Sequence, residues 1–161
     1  MSRYRVGNGF DVHRLAPGRP LMLGGVLVPH DRGLAGHSDG DCAIHALCDA
    51  LLGAAAAGDL GTLFPSSDER WKDTPSARFL EEVARLLEER GWSVQNADVT
   101  VVAEAPRLAP HTAAMRDRMS GLLRVATDAV SVKAKSADGT GAIGSGDAIA
   151  AFATVLLERR E

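Results

Sequence analysis

Extended, β-branched segments alternate with amphipathic helical ones along almost the whole chain, and no other feature of the sequence restricts the fold as much. Tyr4 to His13 reads as an extended segment interrupted by Gly7 and Gly9, where another backbone can approach closely. Leu21 to Val28, containing Gly24-Gly25, reads as a second strand. Gly33 to His37 is a loop. Ser38 or Asp39 then caps a helix that runs to about Ala57, with Gly58 as its stop. Gly61 to Asp73 is rich in turn formers. Thr74-Pro75 opens a helix whose apolar face is Phe79, Leu80, Val83, Leu86 and Leu87, closed by Gly91. Val99 to Val102 is a strand, and Pro110 to Leu123 a helix with Met115, Met119, Leu122 and Leu123 at helical spacing. Val130 to Lys135 is a further strand, and the glycine-rich Gly139 to Gly146 leads into a last helix carrying Ile149, Phe152, Val155 and Leu156. This alternation predicts one sheet, at least partly parallel, covered by helices in two layers.

The chain has 161 residues, 45% hydrophobic and only 4% aromatic, enough for one aliphatic core without disulfides or a structural metal. Its net charge of −3, from 18 basic and 21 acidic residues, lacks the basic excess of a nucleic-acid binder. Cys42 and Cys48 stand on different faces of the expected helix and form no Cys-x-x-Cys motif, so they are expected as small core residues in a reducing compartment. No apolar run approaches the ~20 residues that span a bilayer. Met1 leads almost directly into Val6-Gly7-Asn8-Gly9, with no signal or transit pattern between. A soluble cytoplasmic protein with no nucleic-acid or membrane partner is expected.

Three groups of residues carry chemistry. Alternate side chains of a strand share a face, so Asp11 and His13 of Asp11-Val12-His13 can converge on one ion. His37-Ser38-Asp39-Gly40-Asp41 and His45 place two histidines around a helix start. One carboxylate and two neutral imidazoles suit zinc, with a fourth position open for a substrate oxygen. Each motif alone is a weak signal, since an isolated Asp-x-His is usually a surface pair. Asp49, one turn after His45, either holds the free imidazole nitrogen or is an ordinary helix carboxylate. The helix start near Ser38 offers N–H groups to a phosphate, or Ser38 and Asp39 simply cap it. Lys133, Lys135, Ser136 and Asp138 end a strand and can serve phosphate and a second hard cation; a solvated strand end is the alternative. Gly139 to Gly146 is neither a Walker A motif nor a dinucleotide fingerprint.

Taken together, these residues resemble the 2-C-methyl-D-erythritol 2,4-cyclodiphosphate synthase family. The matching motifs are Gly7-x-Gly9-Phe10-Asp11-Val12-His13, His37-Ser38-Asp39-Gly40-Asp41, His45-Ala46, Asp49-Ala50-Leu51-Leu52-Gly53, Gly58-Asp59-Leu60-Gly61, Phe64-Pro65, Ala105-Pro106 and Val132-Lys133-Ala134. They cover essentially the whole chain in order, and His37 to Gly61 is the most specific stretch. With this resemblance the expected fold is α+β: a two-layer sandwich of one mixed β-sheet covered by helices, a single domain over residues 1–161, assembled as a homotrimer with sites between subunits.

The resemblance implies a reaction in the non-mevalonate route to isoprenoids. The 2-phosphate of 4-diphosphocytidyl-2-C-methyl-D-erythritol 2-phosphate attacks its own β-phosphate, which gives the cyclic diphosphate and CMP. It implies that Asp11, His13 and His45 bind a first ion, usually zinc, and that Asp138 binds a second, magnesium or manganese. His37 and Ser136 fall at the positions that stabilise the transition state. Substrate contacts are implied for Asp11, Val12, His13, His37, Ser38, Asp59, Leu60, Gly61, Phe64, Pro65, Ser66, Ser67 and Asp68 toward the phosphates and methylerythritol. Ala103, Pro106, Arg107, Leu108, Ala109, Ala134, Lys135, Ser136 and Asp138 are implied toward the cytidine diphosphate. The chain departs from the family pattern in several places. Ser66-Ser67 stand for Asp-Thr, Lys135 and Ser136 for two threonines, Asp138 for Glu, and Ala142 and Ser145 for the Phe and Arg of an axial cavity.

Overall fold

A central strand that is nearly a third alanine organises the fold. The computed structural model describes residues 2–160. β1 (Tyr4–Pro17) pairs antiparallel with β4 (Arg32–Leu34) on one side and with β7 (Ala148–Arg159) on the other. β5 (Trp92–Val102) pairs antiparallel with the far side of β7 and parallel with β6 (Val130–Lys135). The sheet is therefore mixed, in the order β4-β1-β7-β5-β6. The parallel pair is the one joined through a helix, α4 (Thr112–Leu123), as the alternation of elements requires.

The expected last helix is thus a strand. Ile149, Ala151, Ala153, Val155 and Leu157 are all buried while Phe152 is half exposed, a two-residue period. Alanine favours helix in isolation, but pairing on both edges and burial override that preference. Small residues also let the helical layer come close. α1 (Cys42–Ala54) lies directly on β1 and β7, and a Cβ on Gly7 or Gly9 would stand 2.0 Å from the carbonyl oxygen of Ala50 or Ala46. Only Gly and Ala opposite one another let strand and helix backbones come this close.

α1 is buried on nearly all sides because α3 (Ser76–Glu89) covers its far face. α3 is amphipathic: Phe79, Leu80, Val83 and Leu87 are buried, while Arg85 pairs with Glu82 and Glu89 on the outside. α4 extends the helical layer over β6. α1, α3 and α4 lie on one face, which gives the expected two layers. The opposite face is bare, and carries exposed Tyr4, Val6, Phe10, Val12 and Phe152, with the Phe10 and Phe152 rings 4.9 Å apart.

Three further boundaries differ from the sequence reading. Leu21 to Val28 is a hairpin, β2 (Leu21–Leu23) and β3 (Val26–Val28), turning at Gly24 and Gly25, both at positive φ. β5 begins at Trp92 rather than Val99. The cap of α1 is Asp41, not Ser38 or Asp39: its carboxylate accepts the Ile44 N–H and also the N–H groups of Gly24 and Gly25 at 2.7–3.1 Å. One buried carboxylate thus closes both the helix start and the hairpin turn. Cys42 and Cys48 are buried, unpaired thiols, which burial pushes up in pKa and leaves inert. Among the described residues no helix is long and apolar enough to cross a membrane.

Candidate metal centre and substrate cavities

Asp11 and His13 share the α1-facing side of β1 with Gly7 and Gly9. His45 lies in the second turn of α1, next to the Ala46 carbonyl that Gly9 lets in. The close approach of strand and helix therefore brings the three side chains together. Asp11 Oδ2 is 2.8 Å from His13 Nε2 and 3.0 Å from His45 Nδ1, and the two nitrogens are 3.2 Å apart. His13 donates its Nδ1–H to the Ala35 carbonyl at 2.6 Å, because a carbonyl only accepts; the neutral ring then has its lone pair on Nε2. Burial alone would raise the Asp11 carboxyl, but its bonds to His13 and His45 hold it well below the usual carboxylate range. Burial would lower the His13 pKa, and the adjoining carboxylate turns that into a rise.

This donor set fits a small cation. Ligand arms of about 2.0–2.1 Å in a tetrahedron give ligand–ligand edges of roughly 3.3 Å, close to the separations observed. Among the described residues these three form a group with all ligand atoms within 4.8 Å of one another. A divalent ion there would take the place of the protons that otherwise bridge the Asp11 carboxylate to the two imidazoles.

His13 and His45 stand at the edge of a cavity of about 360 Å³, which is also lined by His37, Ser38, Leu60, Gly61, Phe64, Pro65, Ser66 and Ser67. Most of the residues implied for the methylerythritol end are thus brought together. Phe64, Trp71 and Phe79 pack their rings 4.7–5.9 Å apart to make one wall. His37 Nε2 is buried with no hydrogen-bond partner among the described residues, an orphan that a ligand oxygen would satisfy. Asp59 and Asp68 are not in this lining: Asp59 caps α2 (Leu60–Leu63) through the Thr62 N–H at 2.8 Å, and Asp68 binds Arg70 at 2.6 Å. Val12 points to the opposite sheet face.

A second cavity, of about 260 Å³, lies at the C-terminal ends of β5 and β6 and is lined by Ala103, Pro106, Arg107, Leu108, Ala109, Ala134, Lys135 and Ser136. It gathers every residue implied for cytidine except Asp138, whose Oδ1 accepts the Ser136 hydroxyl at 3.0 Å. Lys133 is drawn off to Asp98 at 2.7 Å. The two cavities share no residue. Ala142 lines another space, with Arg14, Leu15, Asp147 and Ala148.

Two readings of the site residues do not survive. Asp49 does not reach His45; its carboxylate accepts the Leu60 N–H at 2.7 Å and so pins the start of α2. The first turn of α1 is not open to a phosphate, since Cys42, Ala43 and Ile44 are fully buried and Asp41 already occupies it. Sequence reasoning also missed Ser76, Asp39 in its actual role, and Arg19. The Arg19 guanidinium donates to the carbonyls of Gly36 and Ser38 at 2.9 and 2.5 Å and holds the loop that carries His37. Trp71 and Phe79 were likewise absent from the expected lining. Thr74-Pro75-Ser76 was legible only as a helix start, and nothing in its spacing tied it to His45.

Comparison with known proteins agrees along the whole chain. The chain is 56% identical over 156 residues to the 2-C-methyl-D-erythritol 2,4-cyclodiphosphate synthase of Xanthomonas oryzae pv. oryzae (strain PXO99A), covering 97% of this chain and 96% of that one. A solved structure of a 2C-methyl-D-erythritol-2,4-cyclodiphosphate synthase in its CDP-bound form matches with a TM-score of 0.88 at 43% identity, over 96% of this chain and all of the other. An IspF from Plasmodium falciparum in complex with CDP matches at TM-score 0.87 and 31% identity over the full length of both. The model of the YgbB family matches residues 4–158, and the chain belongs to that family.

Proposed function

We propose that this protein converts 4-diphosphocytidyl-2-C-methyl-D-erythritol 2-phosphate to 2-C-methyl-D-erythritol 2,4-cyclodiphosphate and CMP, as a phosphorus–oxygen lyase of the non-mevalonate pathway. The observation that carries this reading is the convergence of Asp11, His13 and His45 at the edge of a cavity, in a chain 56% identical to a synthase of that name. A 2-phosphate oxygen forms a bond to the β-phosphorus, the bond from that phosphorus to the CMP oxygen breaks, and no water is consumed. Nucleophile and electrophile belong to one molecule, so the protein needs no nucleophile of its own; it folds the substrate back and offsets charge.

Asp11, His13 and His45 would hold a zinc ion. When bound, zinc acts as a Lewis acid on a phosphate oxygen. His37, with its unsatisfied ring nitrogen, is the donor toward the developing charge from one side. Ser136 is its counterpart from the other, and Asp138 would hold magnesium or manganese, ions that keep most of their waters and need only one or two carboxylates plus phosphates. Phe64 to Ser67 and Leu60-Gly61 enclose the methylerythritol. Ala103 to Ala109 with Ala134 to Ser136 receive the cytidine diphosphate, which accords with the CDP carried by two structures of related proteins.

The chain acts as one domain in a homotrimer, with each site shared by neighbours. The separateness of the two cavities and the bare apolar sheet face support this. Unpaired buried thiols accord with the cytoplasm. The test is to incubate purified protein with the substrate, zinc and magnesium and to follow CMP and the cyclic product. Release of CMP with a linear phosphate product would refute the cyclisation.

A further inference from the structure

We propose that Ser76, backed by the Asp39 carboxylate, is a positioning residue that fixes the tautomer and ring orientation of His45 for metal binding. This rests on the reading of Asp11, His13 and His45 as a metal centre. The single proton of the Ser76 hydroxyl decides the tautomer. Asp39 Oδ1 is in short contact with Ser76 Oγ, and an ionised carboxylate can only accept, so the proton lies on that bond. Ser76 Oγ is then an acceptor toward His45 Nε2 at 2.8 Å, so the ring carries its hydrogen on Nε2. In the neutral ring the lone pair is then left on Nδ1 for an ion, the atom 3.0 Å from Asp11 Oδ2 and 3.2 Å from His13 Nε2. The other tautomer would aim a hydrogen at the ion.

The surroundings make this arrangement rigid. Ser76 is fully buried and His45 nearly so, which leaves little room for water to take over the bond. Asp39 grips both donors of Ser76, since its Oδ2 also accepts the Ser76 N–H at 3.0 Å, and it accepts the Asp41 N–H at 3.1 Å. Asp41 in turn caps the helix that carries His45. The hydrogen bonds thus form a closed circuit between the starts of α1 and α3. Ser38 Oγ also faces His45 Nε2, but at 3.2 Å, and it is itself tied to the Gly40 N–H at 3.3 Å. It is the weaker partner.

Partners of this kind, one bond beyond a metal ligand, typically govern roughly 10–100-fold of metal affinity. The experiment measures zinc dissociation constants of metal-stripped, assembled protein by competition with a chromophoric chelator, for wild type, Ser76→Ala, Ser76→Thr and Asp39→Asn. Ser76→Ala should still bind one zinc per chain, roughly 10–100-fold more weakly. Ser76→Thr, which keeps the hydroxyl, should recover most of that loss, and Asp39→Asn should fall between. In zinc-loaded wild-type protein, where the ion takes the place of any proton between Nδ1 and Asp11, long-range ¹⁵N–¹H spectra should show the His45 hydrogen on Nε2, a readout that holds even if a variant fails to fold. Wild-type affinity in Ser76→Ala, equal weakening in Ser76→Thr, or a His45 hydrogen on Nδ1 would each overturn the proposal. Failure of the wild type itself to bind zinc would overturn the metal reading along with it.

Discussion

Gly9→Ala should unfold the protein more easily and disarm its metal centre, although the new residue suits a strand at least as well as glycine does. In the unfolded chain alanine has less freedom to lose, which favours the variant by about 0.4–1 kcal/mol. Against that, the added Cβ would lie 2.0 Å from Ala46 O, 2.8 Å from Ala50 N and 2.9 Å from Ala46 C. These are backbone atoms of a buried helix, which cannot swing aside like the tip of a side chain. Ordinary contact begins near 3.4 Å, so α1 or β1 must retreat by about 1.4 Å. Overpacking of this kind costs about 1–3 kcal/mol and occasionally more, and backbone against backbone belongs at the upper end. The net loss is about 2 kcal/mol, or roughly 4–8 °C in Tm for a chain of this size. The same retreat carries His45 away from Asp11 and His13, whereas a metal site tolerates about 0.2 Å. Zinc affinity should fall as well. Gly121→Ala is the control: it lies exposed in α4, a Cβ there meets nothing within 4 Å, and it should gain about 0.5–1 kcal/mol. Differential scanning calorimetry and chelator competition on both variants decide the matter. A Gly9→Ala protein that melts at or above wild type with undiminished zinc would refute the packing argument.

His45→Ala should abolish zinc binding and CMP release while circular dichroism and oligomer size stay as in wild type; undiminished zinc by metal analysis would remove His45 from the centre. Asp138→Ala should keep its zinc and require far more magnesium for turnover, and an unaltered magnesium dependence would sink its assignment to the second ion. Asp41→Ala strips the acceptor from three N–H groups, those of Gly24 and Ile44, which are buried, and of half-buried Gly25, and should cost about 2–4 kcal/mol in urea unfolding. Phe10→Glu should leave each chain folded with zinc bound but dissociate the assembly and remove activity, as light scattering and the CMP assay would show; a trimeric, active variant would deny the face its role.

The three candidate metal ligands were legible because each obeys local geometry. Asp11 and His13 are two residues apart on a strand and must share a face, and His45 sits inside a helix of unmistakable length. The cytidine-side cavity was legible only by resemblance, since nothing in the spacing of Ala103 to Ala109 and Ala134 to Ser136 says that two strand ends adjoin. Parallel pairing of β5 with β6 brings them together, and that is a non-local fact. Ala148 to Arg159 misled for a related reason: pairing with β1 on one edge and β5 on the other, both remote in sequence, overrides alanine's helical preference. The cap of α1 read as Ser38 or Asp39 and is Asp41. The hairpin that offers Asp41 two further N–H groups, and the α3 start that claims Asp39, lie 16 and 37 residues away.

β1 joins these features, because its two faces do different things. The inward face holds Gly7, Gly9, Asp11 and His13 against α1; the outward face exposes Val6, Phe10 and Val12 beside Phe152 of β7. A sheet covered by helices on one side only normally presents polar residues on the other. Here the apolar residues occupy the middle of the bare face, and the Lys133–Asp98 ion pair marks its rim toward β6. That distribution, apolar centre and polar edge, is the anatomy of an interface core. A copy of the chain seated there lies one strand thickness from Asp11 and His13. The two cavities share no residue within one chain, yet both sit at the end of the sheet where β1, β5 and β6 run out. In the proposed homotrimer, burying the apolar ridge and bringing one chain's second cavity toward a neighbour's Asp11, His13 and His45 would be a single event. For this reason a charge at Phe10 is expected to remove activity without touching any residue of the metal centre.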